Sequence, residues 1–116
     1  MTYYNKNNKT ATFVIIPNEY TRIGDNAFSD CSSLTSVTIP DSIKIIGNYA
    51  FSNCSSLTSI TIPDSVKYIG NGAFFKCSNL SSIFIPTFIK YIGNSTFYNC
   101  LYYFCNPCLF CKKRKS

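Results

Sequence analysis

The sequence contains no histidine and no tryptophan, one methionine and only five acidic residues among 116. Without histidine, a serine or cysteine nucleophile lacks its usual base. The acids are Glu19, Asp25, Asp30, Asp41 and Asp64. Asp41 and Asp64 hold equivalent positions of a repeat and do not converge on one cleft. The five glycines match neither a P-loop nor a dinucleotide fingerprint. The chain is therefore expected not to be an enzyme and to use no cofactor. Long apolar runs are also missing: none approaches the roughly 20 residues of a membrane-spanning helix. The polar start, Met1 to Lys6, leads into no apolar segment of a secretory signal. On these grounds the expected location is the cytoplasm or the cytoplasmic face of a membrane.

What is present is globular in character. Hydrophobic residues make up 46% and charged residues 14%, too apolar and too weakly charged for wholesale disorder. The net charge of +6 is concentrated at one end, since Lys112, Lys113, Arg114 and Lys115 fall in the last five residues. The body before them holds seven basic and five acidic residues. It lacks the cluster or stripe that tracks phosphates, so no nucleic-acid partner is expected.

One period organises the chain. Ile23-Gly24 recurs as Ile46-Gly47, Ile69-Gly70 and Ile92-Gly93, at steps of 23 residues. Phe28, Phe51, Phe74 and Phe97 keep that step, as do Cys31, Cys54, Cys77 and Cys100. Leu34, Leu57 and Leu80 follow, and Pro17, Pro40, Pro63 and Pro86 close the motif. Within a unit, Leu57-Thr-Ser-Ile60-Thr-Ile62 alternates apolar and hydroxyl residues like a half-buried strand. Proline then ends the strand. After Ile69-Gly70, Ala73, Phe74 and Cys77 have spacings that suit a helical or 3₁₀ turn, which the glycine would start. One unit cannot bury its apolar columns alone, whereas stacked copies can. The expected fold class is an α/β repeat solenoid. It has a parallel β-sheet on one face and short helical or 3₁₀ turns and loops on the other.

The string Leu-x-x-Ile-x-Ile-Pro, then Ile-Gly-x-x-Ala-Phe-x-x-Cys, resembles the BspA-type leucine-rich repeats. The resemblance covers roughly residues 12–104 and implies a right-handed leucine-rich-repeat arc. Proteins of that family are found on bacterial and protist surfaces and are linked to adhesion and protein binding. Domain organisation reads as an N-terminal flank (1–11), a repeat domain of about four units (12–104) and a Cys-rich basic tail (105–116).

With Val37 and Ile39 inward, alternation sends Ser36 and Thr38 outward. The same offset gives Ser59 and Thr61, Ser82 and Phe84, and, backwards, Phe13 and Ile15. These eight residues form the candidate partner-binding face, a hydroxyl lattice with apolar ends. Lys44, Lys67 and Lys90 make a further column, read as a solvated edge that discourages association. Cys31, Cys54, Cys77 and Cys100 read as buried free thiols.

Three readings compete for the tail. Leu101-x-x-Phe104-x-x-Pro107 aligns with the repeat strand after a two-residue deletion, and as a last strand it would cap the open core. Cys105, Cys108 and Cys111 beside Lys112, Lys113, Arg114 and Lys115 resemble an S-acylated, polybasic membrane anchor. Cys100 with Cys105, Cys108 and Cys111 could hold zinc, provided that Cys100 turns outward. The functional expectation is a non-catalytic module that binds a protein partner through the sheet face. The alternative is a structural or membrane-tethered scaffold with no ligand of its own.

Overall fold

The computed structural model describes residues 1–5 and 9–101. Each 23-residue unit forms one coil, and the coils stack so that the same column recurs beside itself. Among the described residues nine short strands run in parallel pairs: β1 (Thr2–Tyr3), β2 (Phe13–Ile15), β3 (Arg22–Ile23), β4 (Ser36–Thr38), β5 (Ile45–Ile46), β6 (Ser59–Thr61), β7 (Tyr68–Ile69), β8 (Ser82–Phe84) and β9 (Tyr91–Ile92). The alternating Leu-x-x-Ile-x-Ile segments form β2, β4, β6 and β8, as their β-branched residues favour.

The sheet arrangement departs from a single parallel face. The continuous sheet, ordered β1-β3-β5-β7-β9, is built on the Ile-Gly column. The alternating segments form two separate pairs, β2-β4 and β6-β8. The seam falls where the central inward residue changes, from Val14 paired with Val37 to Ile60 paired with Ile83.

No helix forms among the described residues; residues 25–30 and their copies are stacked turns. The physical reason lies in the destination of the amides. In the first coil Ala27, Ser29 and Cys31 donate three residues back, to Gly24, Asn26 and Phe28. The N–H groups between them leave the coil: Asn26 donates to Asn48 O at 2.9 Å, Phe28 to Ala50 O at 2.7 Å and Asp30 to Ser52 O at 2.8 Å. A left-handed residue every few positions breaks any helical run, as at Asn26 (φ 59°), Asp30 (φ 63°), Tyr49 (φ 55°) and Lys76 (φ 57°).

The core is one stack of columns. Phe28, Phe51 and Phe74 are fully buried. Their rings, with Phe97, lie nearly parallel at centroid spacings of 4.9, 5.3 and 6.0 Å. Ile23, Ile46, Ile69, Leu34, Leu57 and Leu80 fill the rest. The N-terminal residues close the stack at one end. Tyr3 pairs with Ile23 across β1 and β3, and its ring stacks on Phe28 at 5.6 Å. First-coil carbonyls that face no preceding coil are also met: Asn5 N donates to Ala27 O at 3.1 Å, and Lys9 Nζ to Ser29 O at 2.6 Å.

The repeat cysteines line this core without disulfides. Cys54 Sγ donates to Phe28 O at 3.2 Å, Cys77 to Phe51 O at 2.9 Å and Cys100 to Phe74 O at 3.3 Å. Each thiol serves a carbonyl of the preceding coil. The Cys77 thiol is pushed well above its ordinary pKa by the neighbouring Cys54 thiol and by burial. Cys31 is raised chiefly by burial, with Asn5 opposing. A thiol raised in the fold keeps its proton where the unfolded chain loses it. Its stabilising effect is whole below the unfolded value of about 8.5 and is lost as pH rises above it. Stability towards urea should therefore fall as pH rises above about 9. Cys77→Ala should be flatter in that range, but lower by about 1–3 kcal/mol at pH 7 because the Phe51 carbonyl loses its donor. An equally steep decline in the variant would show that other groups cause it.

Candidate functional site

The inward residues of β2, β4, β6 and β8 fix what points outward. Ile60 and Ile83 are buried, and Val14 and Val37 are partly buried against the core. A slip of one residue would exchange them for hydroxyls, so the register is strongly set. Phe13, Ile15, Ser36, Thr38, Ser59, Thr61, Ser82 and Phe84 are all exposed, where the alternation places them.

Pairing sorts these eight into two columns. Phe13 lies opposite Ser36 and Ile15 opposite Thr38; Ser59 lies opposite Ser82 and Thr61 opposite Phe84. The face carries no charge, and its apolar members sit at the two ends. Phe13, Ile15 and Phe84 are 63%, 65% and 55% exposed. Beside Ile15 and Thr38 the surface dips into an open groove of about 500 Å³, which also involves Asn18, Asp41 and Ser42. The Ser42 hydroxyl has no hydrogen-bond partner there.

The lysine column is not at a sheet edge. Lys44 and Lys67 precede β5 and β7, which are interior strands of the five-stranded sheet; only Lys90 precedes a terminal strand, β9.

Of the tail residues, only Cys100 and Leu101 are described. Cys100 keeps its place in the thiol column, bonded to Phe74 O, and does not turn outward as the zinc reading requires. Leu101 is 62% exposed. Phe104, Pro107, Cys105, Cys108, Cys111, Lys112, Lys113, Arg114 and Lys115 lie outside the described residues. Among the described residues no cluster of three or more Cys, Asp or Glu could hold a metal.

One column escaped the sequence reading although its period was in view. Asp25, Asn48, Asn71 and Asn94 follow the four repeat glycines. Asp25 Oδ1 accepts from Asn48 N at 2.8 Å, Asn48 Oδ1 from Asn71 N at 2.9 Å and Asn71 Oδ1 from Asn94 N at 2.8 Å. This ladder binds coil to coil and explains the glycines: a Cβ on Gly47 would lie 2.5 Å from Asp25 Oδ1 and 2.7 Å from Asp25 N. Close approach, not a left-handed turn, demands glycine at that position.

The model of the BspA-type leucine-rich repeat region matches residues 2–106, in six copies. The chain is similar to a solved leucine-rich repeat protein from T. pallidum, with 34% identity and a TM-score of 0.75, covering 77% of this chain and 42% of that one. A leucine-rich repeat protein from Bacteroides ovatus shows 27% identity and a TM-score of 0.67, covering 78% and 35%. A leucine-rich cell surface protein from Faecalibacterium prausnitzii, at 24% identity and a TM-score of 0.69, covers 87% and 34% and shares the fold. The chain thus spans less than half the length of each of these structures. No curated protein matches it.

Proposed function

The chain belongs to the BspA-type leucine-rich repeat family, and from that premise we propose that it is a non-catalytic module that captures a protein partner on the face of β2, β4, β6 and β8. Leucine-rich repeat proteins are usually interaction scaffolds rather than enzymes, which supports the class of function. The observation that carries the specific reading is the uncharged outward face, with two in-register columns and exposed aromatic or aliphatic ends. Exposed apolar side chains supply contact area, and the hydroxyls between them offer hydrogen bonds at regular intervals. The groove beside Ile15 and Thr38 gives a partner side chain somewhere to anchor. Adhesion at a cell surface is a narrower form of this proposal and rests on the family resemblance.

Ser59→Lys with Thr61→Lys tests it, because both side chains are exposed and only the face changes. Capture of partner from the native cell's extract should fall on the order of tenfold, since a buried unpaired charge is costly. The thermal melting point should stay within a few degrees of the parent. Undiminished capture by the folded variant would remove the face from consideration.

A further inference from the structure

The five-stranded sheet presents a second outward surface, unlike the first in chemistry. Ile23, Ile46 and Ile69 point into the core, so Arg22, Ile45, Tyr68 and Tyr91, paired in register, point away from it. Tyr68 and Tyr91 are 45% and 50% exposed. One residue earlier in each coil stand Lys44, Lys67 and Lys90. Backbone bonds join these three positions directly, Lys67 N to Lys44 O and Lys90 N to Lys67 O, both at 2.9 Å. Their Cα atoms are therefore about one strand spacing, roughly 4.8 Å, apart.

Lys67 and Lys90 thus adjoin two exposed phenol rings in the chain, with Lys44 and Arg22 on the two coils before them. Asp41 and Asp64 each precede a lysine by three residues, but the Lys67 ammonium bonds the backbone carbonyl of Asp64 at 3.1 Å and not its carboxylate. None of Arg22, Lys44, Lys67 and Lys90 forms an ion pair among the described residues. Like charges in register repel, and an anion laid along them relieves that repulsion.

We propose that this basic and aromatic strip binds an acidic polysaccharide, a glycan that carries carboxylate or sulfate groups along its length. The lysine column spans about 10 Å over two strand spacings, comparable to one disaccharide of such a chain. Ammonium groups on flexible stems suit compact anions in varied positions. The tyrosine rings offer apolar faces to sugar C–H groups and hydroxyls to their oxygens. Single-stranded nucleic acid fits less well. Tyr68 and Tyr91 sit on adjacent strands, roughly 4.8 Å apart, which is too close for a base to stack between them.

Heparin binding by the full chain, measured by titration calorimetry at fixed salt, tests this. The tail's own four cations are first removed by Lys112→Ala, Lys113→Ala, Arg114→Ala and Lys115→Ala. In that background heparin should still bind, and dextran should not. Adding Lys44→Gln, Lys67→Gln and Lys90→Gln should weaken heparin on the order of tenfold and flatten the salt dependence. Tyr68→Ala with Tyr91→Ala should weaken it at constant salt slope. Circular dichroism should be unchanged in both, since the altered side chains lie at the surface. Loss of heparin binding with the tail alone, or indifference to the lysine substitutions, would overturn the proposal. Equal or tighter binding of oligo(dT) through the same residues would overturn it too.

Discussion

Phe51→Ala should cost the domain about 3–5 kcal/mol, as expected for a buried phenylalanine. That is a large share of the roughly 5–15 kcal/mol that holds a domain of this kind together. Phe51 is fully buried, with parallel rings 4.9 Å away on one side and 5.3 Å on the other. Truncation leaves a void between two rings that cannot close it. The coils are fastened to one another by the Asx ladder and the axial amide bonds, so they cannot slide together. Phe97→Ala is the control. That ring is only partly buried and stands 6.0 Å from Phe74, so its loss should cost about 1–2 kcal/mol. Urea denaturation of both variants measures the difference. Equal costs would mean that the rings contribute separately and that the stack does not act as a unit.

Gly47→Ala is expected to destabilise by about 2–3 kcal/mol through overpacking, although it adds a single methyl group to a residue with ordinary φ. The methyl would press on the Asp25 backbone nitrogen and the Gly24 carbonyl carbon, which are rigid. Relief requires that the coils separate, and separation breaks the bond from Asn48 N to Asp25 Oδ1. Gly24→Ala makes the useful comparison. The three atoms nearest its added methyl all belong to the ring of Tyr4, an exposed side chain near the chain start that can swing aside. The shift in melting temperature should be clearly larger for Gly47→Ala than for Gly24→Ala. If the two shifts agree, the glycines answer to backbone conformation and not to the approach of the neighbouring coil.

Much of this molecule was legible in the sequence because a period of 23 residues converts each column into a spatial statement. Phe28, Phe51 and Phe74 could be placed in the core, and Ser59 and Thr61 outside it, from repetition and alternation alone. The turn face was not legible. Ala73, Phe74 and Cys77 have a spacing that serves a helical turn and a stacked turn equally well. What separates the two is where the intervening amides go, and that depends on the next coil. Nothing about tyrosine or lysine marks Tyr49 and Lys76 as left-handed. The N-terminal strand was hidden for a different reason. Tyr3 and Ile23 are partners 20 residues apart rather than 23, so the period passes over them. The split between β4 and β6 also lay beyond the sequence reading, since Ser36–Thr38 and Ser59–Thr61 are nearly identical segments.

Nine amides of the stacked turns leave their coil in the same direction. Asn26, Phe28 and Asp30 donate to the second coil; Tyr49, Phe51 and Asn53 to the third; Gly72, Phe74 and Lys76 to the fourth. In the sheets donation runs both ways, as when Ile16 N reaches forward to Thr38 O while Gly47 N reaches back to Ile23 O, and the contributions largely cancel. On the turn face the forward amides outnumber those that donate back, which are Asn48, Asn71 and Asn94 on the Asx ladder. Nine peptide dipoles of about 3.5 D each point along the solenoid axis. The domain is thus electrically polar from end to end, with its negative pole at the first coil and its positive pole at the fourth. Lys9, with its ammonium on Ser29 O, already sits at the pole that favours a cation.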